Sequence, residues 1–284
     1  MVDLRGVVTV AVRSLVGATI GAFALTVARP SLASAQTDYY NTDRGRPVQV
    51  EDAYTTERYA LELKLAPVRL ERGSGGVYSW GIDPEIAYGI LPRTQIEIGV
   101  PLAYREVGAQ RQSGIAGLEL SAMHNLNTET EGWPALALRA DLLAPVGNLA
   151  PSRAYPSVTG IATRTFTWGR VHANGTLTGG STITATNFDA AAAELSRWLV
   201  GAAIDRTFPL RSTLLTAELY GRKPLLDGSS VEYTTGVGAR HQISPTLALD
   251  AGIGRRLNGD APGWYVTFGS AYAFSVASLF PTGR

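Results

Sequence analysis

Val77-Tyr78-Ser79-Trp80-Gly81-Ile82-Asp83-Pro84-Glu85-Ile86-Ala87-Tyr88-Gly89-Ile90 is the stretch that decides the fold. Every even position from 78 to 90 is apolar or aromatic, and the odd positions include Ser79, Gly81, Asp83 and Glu85. Successive side chains of an extended strand point to opposite faces, so this period of two separates an apolar face from a polar one. A soluble sandwich alternates as well. Aromatics at both ends of the apolar row, with carboxylates opposite them, fit a transmembrane β-barrel better. There lipid takes the apolar face, and a watery or ion-paired lumen takes the other.

The same period returns from Tyr59 to Phe274 and reads as twelve strands. Outward rows include Leu61, Leu63 and Leu65 in the first, Ile96, Ile98 and Leu102 in the third, Leu118 and Leu120 in the fourth, and Leu136, Leu138 and Leu142 in the fifth. Later rows run through Val171 and Leu177, Val200 and Ile204, Leu215 and Leu219, Val237, Leu249 and Ile253, and finally Trp264, Phe268 and Tyr272. The sixth strand, 158–168, is the irregular one, because its outward phase carries Arg164 beside Phe166 and Trp168. A bulge or an arginine snorkelling to the interface would accommodate it. Tight links after even-numbered strands, at 91–94, 169, 209–212 and 244–245, alternate with longer ones near 106–113, 145–157, 179–196, 223–230 and 258–263; 127–132, after the fourth, is slightly longer than the other tight links. Bacterial barrels show this asymmetry, short on the periplasmic side and long outside. With both termini periplasmic, Trp80, Tyr104, Trp198, Tyr233 and Trp264 fall at the outer rim, and Tyr88, Phe166, Trp168, Phe208, Tyr272 and Phe274 at the inner one. Two such girdles are the expected headgroup anchors.

The N-terminus is a different kind of sequence. Arg5 and Arg13 precede a short apolar run, Ser14 to Leu25, and Ala33-Ser34-Ala35 follows. That order is a secretory signal peptide over 1–35, cut before Gln36. Residues 36–58 are polar and irregular and read as a periplasmic lead-in, with Asp43-Arg44-Gly45-Arg46 as a solvated charge run. The barrel then occupies 59–274, and 275–284 is a C-terminal extension. A net charge of +1 without a basic stripe argues against nucleic acid as a partner. The chain has no Cys, which excludes disulfides and thiolate chemistry.

Asp52-Ala53-Tyr54, Gly81-Ile82-Asp83-Pro84-Glu85 with Gly89-Ile90, Val171-His172-Ala173-Asn174, and the hairpin of Asp205 with Thr213-Leu214-Leu215-Thr216-Ala217-Glu218 carry a resemblance. They look like the outer-membrane transporters grouped as "MetA-pathway of phenol degradation". The resemblance implies a Gram-negative outer-membrane barrel linked to uptake of hydrophobic or aromatic compounds, with no catalytic residues or cofactor to carry over. Thr267 to Phe274 also resembles the terminal signal read by the barrel-assembly machinery, although about ten residues follow it.

Function is sought in the inward residues. The candidates for lining the lumen are Asp83, Glu85, Glu97, Glu119, Arg139, Asp141, His172, Asn174, Asp205, Glu218, Arg222, Arg240 and Asp250. Glu62, Lys64, Arg105, Arg170, Arg197, Glu232 and Arg256 share their phase. Charges of both signs either pair and fill a narrow bore or line a path that selects solutes. No Ser sits two residues from a His on one face, and no His/Asp/Glu cluster has metal-ligand spacing, so neither an enzyme nor a metal site is expected. The expected function is passive passage of a small solute, with hydrophobic or aromatic ones as candidates. The partners would be outer-membrane lipid, the assembly machinery and that solute. The rival reading is a plugged, non-conducting barrel with a structural or ligand-binding role.

Overall fold

The computed structural model describes residues 40–73, 78–107, 109–184, 195–259 and 262–275. The expected signal peptide, the first residues of the lead-in, and residues 276–284 of the expected extension lie outside the described residues.

The fold is all-β: a single closed sheet of twelve antiparallel strands in simple up-and-down order. They are β1 (Ala60–Gly73), β2 (Tyr78–Ile82 and Glu85–Leu91), β3 (Thr94–Gly99 and Leu102–Val107), β4 (Gln110–Ile115 and Leu118–Asn127), β5 (Ala135–Ala144) and β6 (Tyr155–Phe166). The ring continues through β7 (Gly169–Thr178), β8 (Ser196–Phe208), β9 (Thr213–Pro224), β10 (Glu232–Ser244), β11 (Leu247–Arg256) and β12 (Gly263–Ser275). β12 pairs back onto β1, from Ala60 opposite Ser275 to Gly73 opposite Gly263, so the sheet has no free edge there.

The alternation has the expected sense. Leu120, Leu138, Ile204, Leu219, Val237 and Leu249 are exposed on the outside, whereas Lys64, Glu97, Arg139, Asp205, Glu218 and Arg240 are buried inside. Tight turns gather at one end of the barrel, here the turn end, and most long connections at the other, the loop end. The link between β3 and β4 differs from expectation: the strands extend until only 108 and 109 separate them, because Leu102 to Val107 pairs residue for residue with Gln110 to Ile115.

β2, β3 and β4 are continuous in alternation but not in hydrogen bonding. Asp83-Pro84, Val100-Pro101 and Ala116-Gly117 interrupt them side by side, with Ile82 paired to Leu102 and Leu102 to Ile115 just beyond the break. Proline has no N–H to give a ladder. The neighbouring amides span the gap instead, Val100 donating to the Pro84 carbonyl and Ala116 to that of Pro101. A bulge between Leu65 and Val68 bends the adjoining β1.

Three rim expectations are settled locally. β6 and β7 pair without a bulge, and Arg164 snorkels to the turn end, donating to the carbonyls of Thr130, Glu131 and Trp133. Arg197 does not point inward: a bulge beside it lets its guanidinium reach the carbonyls of Thr178 and Gly180. Aromatic anchors pair as stacks, Trp80 with Tyr104 at 5.7 Å and Phe166 with Trp168 at 5.4 Å between centroids. Tyr88, expected at the inner rim, is only 5% exposed.

Candidate functional site: an occupied lumen

Residues 40–58 do not lead in from outside the barrel. They rise from the turn end into the lumen, bend near mid-height and return to the turn end, where β1 begins. Asp52 closes the neck of this loop: its amide donates to the Thr42 carbonyl, and its Oδ2 accepts the Thr42 N–H. An irregular segment has amides that no ladder satisfies, and buried ones must find partners. Wall side chains supply them. Glu218 accepts from the amides of Gln49 and Val50 at 2.7 and 3.0 Å, Thr163 from Ala53 at 2.9 Å, and Gln95 from Thr56 at 2.5 Å. Asn125 donates to the Ala53 carbonyl at 2.7 Å, and Thr267 to that of Pro47 at 3.0 Å.

Two inward glycines on adjacent strands make room for the bend. A Cβ on Gly238 would lie 2.7 Å from Pro47 Cβ, and one on Gly252 would collide with the Pro47 carbonyl oxygen. Nearer the turn end, Ala53 packs into an apolar patch of Met123, Ala135, Ala137 and Ile161, with Tyr54 beside it.

Ion pairs tie the loop to the wall. Asp43 meets Lys64 and Arg240, both at 2.8 Å, and its neighbour Arg46. Arg46 is only 1% exposed and also donates to the Ser270 carbonyl, so the supposed solvated charge run is ion-paired inside the lumen, with Arg46 fully buried. Its periodless sequence hid this, since its counter-charges come from distant strands. Arg44 reaches Glu119 at 3.3 Å and Asp141 at 3.4 Å, Glu51 reaches Arg139 at 3.2 Å, and Asp52 reaches Arg170 at 3.4 Å.

The sequence-predicted residues sort into groups. Glu97, Arg139 and Asp141 meet: Arg139 bonds Glu97 at 2.6 Å and Asp141 at 2.8 Å, while Lys64 takes the other Glu97 oxygen at 2.6 Å. Asp205 pairs with Arg170 at 2.6 Å and His172 at 2.8 Å. Glu218 serves the loop and accepts from Tyr265 at 3.2 Å, and Arg222 bonds Glu232 at 2.8 Å. Asp250 lies 3.7 Å from Arg240 and 3.8 Å from Arg46. Asn174 binds the Glu51 backbone. Asp83, Glu85 and Glu119 converge at the break in β2 to β4 with oxygens within 4.8 Å of one another, a spacing that could hold a cation. Sequence spacing concealed that cluster, because Glu119 arrives from another strand. Lys64, Arg170, Thr163, Asn125 and Gln95 were absent from the candidate list, although their inward phase was readable.

Thr163, His172 and Asp205 form a hydroxyl–imidazole–carboxylate line, with His172 Nδ1 3.0 Å from Thr163 and Nε2 2.8 Å from Asp205. The Asp205 carboxylate accepts from His172 Nε2–H, leaving Nδ1 to accept from the Thr163 hydroxyl. His172 is fully buried and the Thr163 oxygen is occupied by the Ala53 amide, so this line holds the loop. Above the bend, a cavity of about 450 Å³ opens toward the loop end, with Arg44 and Gln49 on its floor and Arg105, Glu119, Tyr220 and Arg222 on its wall.

The fold is therefore that of an outer-membrane β-barrel, with its interior filled at mid-height by its own N-terminal segment. Among solved structures it is similar to an outer membrane channel from Pseudomonas putida F1, with a TM-score of 0.50 and 15% identity over 76% of this chain and 94% of that one. It is also similar to the KdgM porin, with a TM-score of 0.45 and 15% identity over 76% and 99% of the two chains. For outer membrane phospholipase A from Escherichia coli the TM-score is 0.40, with 10% identity over 81% and 94%. At these identities the likeness is one of fold. No family model matches the chain, and no curated protein matches its sequence.

Proposed function

We propose that this protein is an outer-membrane channel, closed at rest by residues 40–58, that passes a small hydrophilic solute when that segment moves. The observation that carries the reading is how the segment is held. Its amides at Gln49, Val50, Glu51, Ala53 and Thr56 bond to side chains, which water can replace, and not to the barrel's ladder. The twelve-strand ring closes through β1 and β12 without it. In this reading the turn end faces the periplasm, the signal peptide directs export, and the assembly machinery reads the last strand.

The mid-height wall of Lys64, Glu97, Arg139, Asn174, Glu218 and Arg240 suits hydrophilic solutes. An apolar or aromatic solute, implied by the resemblance, would meet a charged belt. The absence of Cys supplies a clean test. Ala53→Cys with Thr163→Cys puts a thiol on each of two neighbouring residues, whose backbone amide and side-chain hydroxyl are now bonded at 2.9 Å. In planar bilayers the oxidised variant should stay closed and the reduced one should open. A reduced variant that conducts no more than the oxidised one rejects the gate. The rival reading, a permanent plug, draws on the apolar packing of Ala53 and expects no conductance in either state.

A further inference from the structure

Four outward side chains lie in one row across adjacent strands at the loop end. Tyr78 on β2 pairs in register with Arg72 on β1, Arg72 with Trp264 on β12, and Trp264 with Arg255 on β11. Each arginine lies over a ring: Arg72 Cζ is 5.5 Å from the Tyr78 centroid, and Arg255 Cζ is 5.1 Å from that of Trp264. Below the row is a groove of about 390 Å³ whose walls include Leu70, Trp80, Trp264 and Val266.

Arginine on the lipid face costs ~2–4 kcal/mol at the midplane and only about 0–1 near an interface, so this height tolerates two of them. Tolerance alone does not explain why they stay unpaired. Among the described residues, the other outward cations of the loop end have partners, whereas at the turn end Arg206 also lies over a ring, with Phe208 at 5.5 Å. Arg111 has Glu106 at 3.2 Å, and Lys223 donates to the Ser229 carbonyl. Arg72 and Arg255 have rings beneath them and, among the described residues, no carboxylate. Glu71 also borders the groove, but it is taken by Arg256 at 2.7 Å and Arg69 at 3.5 Å.

We infer that this row is a binding site for an outer-leaflet glycolipid with a phosphorylated headgroup. The acyl chains lie along the apolar groove, and Arg72 and Arg255 take the phosphate. Guanidinium forks match phosphate geometry and keep their charge at any physiological pH. Their Cα atoms are separated by two strand spacings, roughly 10 Å, so both can serve one headgroup. Trp264 between them stiffens the site and shields it from water. The site depends on the loop end facing outward, and not on whether the lumen conducts.

Native mass spectrometry of the full-length mature protein, released from detergent with lipid A as the probe, tests this. Lipid A should be retained ~tenfold better than its dephosphorylated form, the difference expected from one or two charge-assisted bonds. Arg72→Gln with Arg255→Gln should abolish that preference while heat-modifiable migration and bilayer conductance stay as in the parent. Equal retention of the two lipid forms, or a preference that survives in the double variant, overturns the site. Phosphatidylglycerol retained as well as lipid A would overturn the assignment to a glycolipid. A closed lumen in the bilayer assay leaves these readouts intact, so failure of the channel reading and failure of this one are distinguishable.

Discussion

Asn174 and the backbone of Glu51 hold each other by two hydrogen bonds: the Glu51 N–H donates to Asn174 Oδ1 at 2.8 Å, and Asn174 Nδ2 donates to the Glu51 carbonyl at 2.9 Å. A wall side chain thus does for the inner segment what a neighbouring strand does within a sheet. Replacing it with an apolar isostere leaves a buried donor and a buried acceptor unmet, each worth ~1–3 kcal/mol. Asn174→Leu should therefore loosen the segment without touching the ladder. Single-channel recordings should show more frequent openings than in the parent, and an unchanged open probability would mean this contact does not hold the gate.

Gly238 and Gly252 offer a steric route to the same end. Any side chain on Gly238 meets Pro47, and one on Gly252 meets the Pro47 carbonyl, yet neither position needs a special backbone conformation. Gly238→Val should displace the bend while β10 stays paired. Limited proteolysis from the periplasmic side should then cut near 44–50, a region resistant in the parent. Resistance equal to the parent's would place the bend elsewhere.

The two faces of the wall differ in what they tolerate, though not simply as outside against inside. Leu138 and Leu249 are exposed on the lipid row, and Arg at either should cost ~2–4 kcal/mol in an unfolding titration from lipid. An inward position is permissive only where it faces the cavity. Thr216 and Thr234 are 5% and 1% exposed, so Arg there would overpack an interior that is already filled. Thr176, which borders the cavity, should accept Arg at small cost. Equal penalties at Thr176 and Leu138 would contradict the phases.

Strand number, phase and closure were legible because lipid enforces the alternation, and Leu120, Leu138 and Leu249 announce it in the sequence. The filling of the lumen was not. Residues 40–58 have no period, and their partners lie far away in sequence: Thr163 for Ala53, Glu218 for Val50, Thr267 for Pro47. A weak signal was present in Gly238 and Gly252, inward glycines at adjacent positions of neighbouring strands, where a wall would otherwise place polar side chains. The breaks at Pro84 and Pro101 were also written in the chain. They were hidden because proline keeps the phase of the alternation while dropping a hydrogen bond.

Arg139 and Glu119 belong to one charged belt but should respond in opposite ways. Arg139 is buried and bonds Glu97, Asp141 and Glu51 at once. Neutralising it takes the ion-pair partner from Glu51 and leaves Glu97 to Lys64 and Asp141 to Arg44, and removing one partner of a buried pair typically costs ~3–5 kcal/mol. Arg139→Gln should therefore lower the unfolding midpoint and leave whatever conductance survives little changed in selectivity. Glu119 borders the cavity, and a quarter of its side chain is exposed, with Arg44 at 3.3 Å and the carboxylates of Asp83 and Glu85 within 4.8 Å. A pair in that setting contributes ~0–1 kcal/mol, so Glu119→Gln should leave stability near the parent's. Removing that carboxylate from the mouth of the path should shift the reversal potential in a salt gradient toward anions, since lumen charges tune selectivity. Equal stability losses in the two variants would mean Glu119 is as enclosed as Arg139. A Glu119→Gln channel with the parent's reversal potential would take this carboxylate off the solute's route.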